Sequence, residues 1–295
     1  MRFAHLGQRL FNTPLAIRQD KAEVIMAALA ERLGVSQIMR LDGANLRPMA
    51  WDDYDDDLTR PGETIRDAGY DMVGDTPVAC IKVHGTLVQK LGSLRPYSGM
   101  TGYDGIRQSI LSAHADPKVE AIVLDVDSPG GEVAGCFDLV DTIYDLRGDK
   151  PIWAILTESA YSAGYAIASA ADRIILPRTG GVGSIGVIVM HVDLSKALTA
   201  SGVAVTFITY GSHKADFRPE LPLSEEALNS VQTEINTMGE LFVGTVARNR
   251  NIAPESVRDT QAACFMGAVG VSRGLADAVM APDAAFLELL DLLGR

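Results

Sequence analysis

Apolar and polar positions along this chain follow two regimes. Between about residues 75 and 210, runs rich in β-branched residues recur: VACIKVHGTLV (78–88), AIVLDVD (121–127), PIWAILT (151–157), RIILP (173–177), SIGVIVMHVD (184–193) and AVTFITY (204–210). Several are apolar almost throughout, the pattern of strands buried on both faces. Between them, near 103–115, 135–147, 162–172 and 195–202, the pattern predicts helices. This alternation predicts an α/β domain with a largely parallel sheet. After residue 222 apolar residues recur three and four apart in LSEEALNSVQTEINTMGELFVGTVARNR, which predicts a long helix. Ser224 is its expected N-cap, and Glu225 and Glu226 fall in the first turn, where the helix dipole favours negative charge. Ala227 stands where a capping box would need Glu or Gln.

Upstream, residues 20–34 (DKAEVIMAALAERLG) carry helical spacing and stop on Gly34, and residues 51–65 are acidic and turn-rich. The expected division is an N-terminal helical segment with an acidic linker over 1–74, and one main domain over 75–295. The chain shows no internal repeat.

Charge narrows the partners. The net charge of −12 argues against a nucleic-acid ligand and against an anionic membrane surface. Cys80, Cys136 and Cys264 are too few and too scattered for a disulfide framework or a zinc site. No stretch reads as a signal peptide or membrane span. The expected setting is reduced and cytoplasmic.

Three segments are too rich in small residues to be packing alone. DSPGGE (127–132) follows the run AIVLDV, and a strand entering Pro-Gly-Gly makes a tight turn whose backbone N–H groups stand clear of side chains. Such donors suit an oxyanion hole; the Gly-Lys-Ser/Thr ending of a phosphate loop is missing. ESAYSAGYAIASAAD (158–172) predicts a helix that neighbours can approach closely, with Ser162 at its start. Ser162 is there either an N-cap or a nucleophile beside the helix's free N–H groups. TGGVGSIGVIVMHVD (179–193) leads on to YGSHKADFRP (210–219), where Lys214 is a solvated surface charge or, if desolvated and neutral, a general base. His213 is the rival base; His84, His114 and His191 read as structural, as does Cys136 as a small buried hydrophobe.

Taken in order, DSPGG, SAGYAIASAADRI, GSIGV and GSHKADFRP resemble the serine peptidases of the signal peptide peptidase A family (family S49), over about residues 78–280. The resemblance implies a Clp protease/crotonase-type α/β fold of repeated ββα units. It implies Ser162 as nucleophile, Lys214 as general base, Ser184 as the hydroxyl orienting the lysine amine, and the N–H groups of Gly131 and Ala163 as the oxyanion hole. The family often has Gly-Gly after its nucleophile; here the pair is Ala163-Gly164. FNTPLAI (11–17), LRPYSGMTGYDGI (94–106) and the SHK segment resemble the family's phage head-maturation branch. That branch implies scaffold, major capsid and portal proteins as substrates or assembly partners, a homo-oligomer, and no cofactor. A bacterial signal-peptide-peptidase-like protease, a catalytically silent capsid component and a crotonase-type acyl-CoA enzyme on the same fold are the alternatives.

Overall fold

A computed structural model of the chain describes residues 13–19, 21, 38–39, 45–46 and 68–295. The helix expected at 20–34 and the acidic stretch at 51–65 fall outside the described residues.

The apolar runs build the centre of a ten-stranded sheet. Strands β5 (Val78–Val88), β7 (Ala121–Glu132), β8 (Ile152–Tyr161) and β9 (Arg173–Leu176) are mutually parallel in that order. Short β10 (Gly181–Gly183) lies parallel to the far end of β8 and carries antiparallel β11 (Cys264–Met266) on its other side. β12 (Ala278–Val279) pairs with β9, and β6 (Met100–Gly102) with β5. Two strands come from before Asp75. β4 (Asp71–Met72) edges β5, and β1 (Leu15–Ile17) runs antiparallel to the end of β7. A separate antiparallel pair joins β2 (Ile38–Met39) to β3 (Asn45–Leu46).

Helices alternate with the strands: α1 (Tyr103–Ala115) after β5 and β6, and α2 (Cys136–Asp145) and α3 (Ala163–Ser169) after β7 and β8 respectively, together cover one face of the sheet. α1 turns Ile106, Ile110 and Ala113 inward, the four- and three-residue spacing that defines a helix face. Every residue of α3 is buried. Small side chains permit this: a β-carbon on Gly164 would come 2.9 Å from Ser128 Cβ on β7. The other sheet face is covered at one end by α8 (Pro282–Leu292), through Ala285 and Leu289 against Val78, Val123, Trp153 and Ile175.

Three further helices are α4 (Ser195–Ala200), α6 (Pro254–Arg258) and α7 (Ala268–Ser272), and the long one is α5 (Glu225–Arg250). Ser224 caps α5 as expected, its hydroxyl accepting from Ala227 N–H at 3.1 Å. Apart from buried Ala227, it is the last third of α5 that enters the main core, where Phe242 meets Phe137 edge-on and Asn249 donates to the Ser169 hydroxyl at 2.9 Å.

Two expected strands are absent. Residues 184–193 and 204–210 form no strand; Ile188 makes only an isolated bridge to Leu15. Val203, Val205, Ile208 and Tyr210 stand exposed, the last two almost fully. β-branched composition favours a strand only where a partner completes its hydrogen bonds and covers its side chains.

Candidate active site

Ser162 lies where β8 ends and α3 begins, with φ 52° and ψ −120°, a region that non-glycine residues avoid. The surroundings hold it there. Its N–H donates to Gly183 O of β10 at 2.8 Å, and its own carbonyl accepts from Ala166 N–H at 2.8 Å in the first turn of α3. The side chain caps nothing; its Oγ reaches only Gly186 O, at a marginal 3.5 Å. Ala163, next along, is the first residue of the helix, so its N–H has no intrahelical acceptor.

The Pro-Gly-Gly turn comes against this serine from β7. Ser128 stitches the turn: its hydroxyl donates to Gly85 O at 2.7 Å and accepts from Gly130 N–H at 3.1 Å. Gly130 has φ 103°, open only to glycine, and its β-carbon position lies 2.9 Å from Ser162 Cβ. Gly131 packs equally close to β5, where a β-carbon would clash with Leu87 O. Ser162, Ala163 and Gly131 are thus brought together.

Lys214 is not joined to them. It sits on an exposed 3₁₀ turn, Ser212–Ala215, following the unpaired 204–210 segment rather than a buried strand. Among the described residues its amine has no hydrogen-bond or ion-pair partner. Ser184 is close in sequence to the Gly183 that anchors the serine, but its N–H donates to Ala263 O at 2.9 Å and no bond links its hydroxyl to Lys214. Beside the turn, a cavity of about 230 Å³ is lined by His213, Asp216 and Phe217, by Pro14 and Val189, and by Ser230, Val231 and Glu234 of α5, but by none of Ser162, Ala163 or Gly131.

His213, His84 and His114 each face a carboxylate. His213 Nδ1 lies 2.9 Å from Asp216, whose hydrogen bond and charge, with Glu226 beyond, raise its pKa above the ordinary imidazole value. His84 Nε2 lies 3.0 Å from Asp125 on the uncovered part of the sheet face. Burial pushes the Asp125 carboxyl up, but the hydrogen bond and charge of His84, with Thr157 and Lys82, together bring it below the usual value. His114 contacts Asp149. Burial pushes the Cys136 thiol up to about 12, in keeping with an inert packing residue.

Two contributors carry little sequence signal. Gly183 and Gly186 present carbonyls to Ser162, and nothing in a Gly-rich run says which carbonyls will turn inward. The third approach is β1. Arg18 N–H donates to Pro129 O at 2.8 Å and Val133 N–H to Pro14 O at 3.3 Å, while Leu15 exchanges two 2.9 Å bonds with Ile188. The FNTPLAI run that contains β1 stands out in the sequence, but its role there is not legible.

The strained Ser162 thus stands at the start of a buried helix beside the glycine turn of a largely parallel α/β sheet. The chain belongs to peptidase family S49, whose model matches residues 145–294. Capsid assembly protease C of Escherichia phage lambda is 35% identical over 98% of this chain and 66% of its own length. Head-tail preconnector protein GP5 of Enterobacteria phage P21 is 36% identical over 93% of this chain and 54% of its own. The chain thus spans between about half and two thirds of these relatives. A putative signal peptide peptidase SppA of Enterococcus faecium is 28% identical over 56% of this chain and 48% of its own length. A ClpP1 mutant from Listeria monocytogenes aligns over 68% of this chain and 90% of that chain, with a TM-score of 0.42 and 13% identity.

Proposed function

We propose that this chain is a serine endopeptidase of the Ser/Lys type that acts in phage head maturation, cleaving scaffold and capsid-associated proteins. The observation that carries the peptidase reading is the placement of Ser162. It is held at positive φ between the Gly130–Gly131 turn and the first N–H of α3. The resemblance to the lambda and P21 proteins supports the head-maturation setting.

In this reading neutral Lys214 accepts the Ser162 hydroxyl proton as Oγ attacks a peptide carbonyl. The N–H groups of Gly131 and Ala163 hold the oxyanion, a contribution of about 3–4 kcal/mol per donor. The lysine ammonium then protonates the leaving amine, and water repeats the sequence on the acyl-enzyme. Ser184 orients the amine. A lysine serves as base only when water is removed from it, and Lys214 is exposed in the isolated chain. Covering the turn on assembly or on substrate binding meets that requirement. The exposed Val203, Val205, Ile208 and Tyr210 beside it favour a homo-oligomer that covers this stretch. Residues 75–295 form the peptidase unit in this reading.

Co-expression with the neighbouring capsid, portal and scaffold proteins tests it, with fragments read by mass spectrometry. Wild type should release defined scaffold fragments, and Ser162→Ala and Lys214→Ala should release none while unfolding at the wild-type denaturant midpoint. Cleavage by the Lys214→Ala chain at the wild-type rate would reject the dyad. Intact scaffold alongside cleaved signal peptides would move the protein to the signal-peptide-peptidase role.

A further inference from the structure

The proposed nucleophile has no accessible surface: Ser162 is 0% exposed. A serine that must touch a peptide carbonyl cannot remain so, and what closes the approach beside the glycine turn is β1. Its ladder with β7 pairs Ile17 with Gly130, Ala16 with Gly131 and Leu15 with Glu132. The flanking bonds, Arg18 to Pro129 and Val133 to Pro14, make Ala16 and Gly131 the hydrogen-bonded pair, since such pairs alternate along an antiparallel ladder. The Gly131 backbone proposed to hold the oxyanion is therefore engaged by Ala16. The β-carbon position of Gly130 lies 3.0 Å from Ile17 Cα and 2.9 Å from Ser162 Cβ, so the C-terminal end of β1 is the end beside the serine.

The fit is two-sided. Ile188 takes the opposite edge of the strand through its paired bonds to Leu15. Leu15 and Ile17 point to one face, where Ile188 and Met190 pack on them; Ala16 points to the other and joins the main core. Arg18 stacks over the ring of Tyr161, the residue before the nucleophile, 5.0 Å from its centroid. A strand bonded along both edges with alternate side chains in apolar contacts is how an extended peptide is bound by strand addition.

We propose that Pro14–Arg18 is a resident, substrate-like occupant of the peptide groove, which holds the enzyme closed until it is displaced. The inference rests on the serine-peptidase reading of Ser162. The groove accordingly recognises an extended aliphatic peptide, with a small residue at the position opposite Gly131. Because the occupant is tethered, it competes at high effective concentration and lowers activity by the fraction of time it is docked.

The test measures labelling of Ser162 by a fluorophosphonate in the full chain, wild type against Leu15→Asp/Ile17→Asp, with Ser162→Ala as the blank. The released variant should label at least about tenfold faster than wild type, as expected when the open state is a tenth or less of the population. A synthetic peptide of residues 13–19 added in trans should slow it again. Equal rates in a folded variant overturn the proposal. A folded variant that takes no label at Ser162 rejects the serine reading, and the proposal with it. Should the double variant not fold, hydrogen exchange on the wild type decides. The amides of Leu15 and Arg18 should be protected before labelling and exchange freely after it, and protection that survives labelling overturns the proposal. So does a wild-type chain found cut between residues 16 and 19, since the segment would then be a substrate.

Discussion

Gly130 and Ser162 are packed so closely that a β-carbon on the glycine would stand 2.9 Å from Ser162 Cβ. The same atom would meet Ala16 O at 2.1 Å, and Gly130 also has φ 103°. Gly130→Ala is therefore expected to lose about 2–4 kcal/mol, from overpacking and left-handed strain together. Denaturant unfolding checks this, and a midpoint unchanged from wild type would show that the turn relaxes away from the serine.

Ser162 itself stores strain. Its φ of 52° and ψ of −120° suit glycine far better than a residue with a β-carbon. Both Ser162→Gly and Ser162→Ala remove the nucleophile, but the glycine variant should be the more stable of the two by about 1 kcal/mol. Comparing their unfolding midpoints isolates the backbone contribution. Equal midpoints would mean that the strand–helix junction is not strained.

The turn bearing Lys214 should respond to pH through its neighbour. Asp216 raises the His213 pKa above 6.5, so the ion pair strengthens the turn most below the unfolded-state value. That contribution is lost as pH rises through the higher folded-state value. His213 ring signals followed by NMR should show a midpoint above 6.5 that falls back in Asp216→Asn. If the midpoint does not move in Asp216→Asn, that carboxylate is not the cause.

The three cysteines should separate by reactivity. Cys264 is exposed on β11, while burial, with Asp125 and Asp71 nearby, pushes Cys80 up to about 11, and burial, opposed by a Tyr103 hydrogen bond, takes Cys136 to about 12. At neutral pH iodoacetamide should modify Cys264 first, and Cys136 only on unfolding. Early modification of Cys136, read by peptide mass mapping, would mean that the α2–α3 contact opens readily.

Local pattern accounts for much of the architecture. The apolar runs at 78–88, 121–127 and 151–157 become β5, β7 and β8, and the spacing over 103–115 becomes α1, because each element's period is written in adjacent residues. Ser224 caps α5 for the same reason, its partner lying three residues away. The Pro-Gly-Gly turn and the small residues of α3 likewise announce a place where backbones meet. What the chain could not show locally depends on partners far off in sequence. The β-rich runs at 184–193 and 204–210 have the composition of strands yet form none, Ile188 making an isolated bridge to Leu15, whereas three residues, Leu15–Ile17, become a strand through contacts with Gly130–Glu132 and Ile188. The strained backbone of Ser162 is also a tertiary result, imposed by Gly183, Gly130 and the first turn of α3 acting on it at once. Residue types mark Ser162 as a candidate, but its burial beside a turn that carries β1 follows from long-range pairing, which no local periodicity encodes.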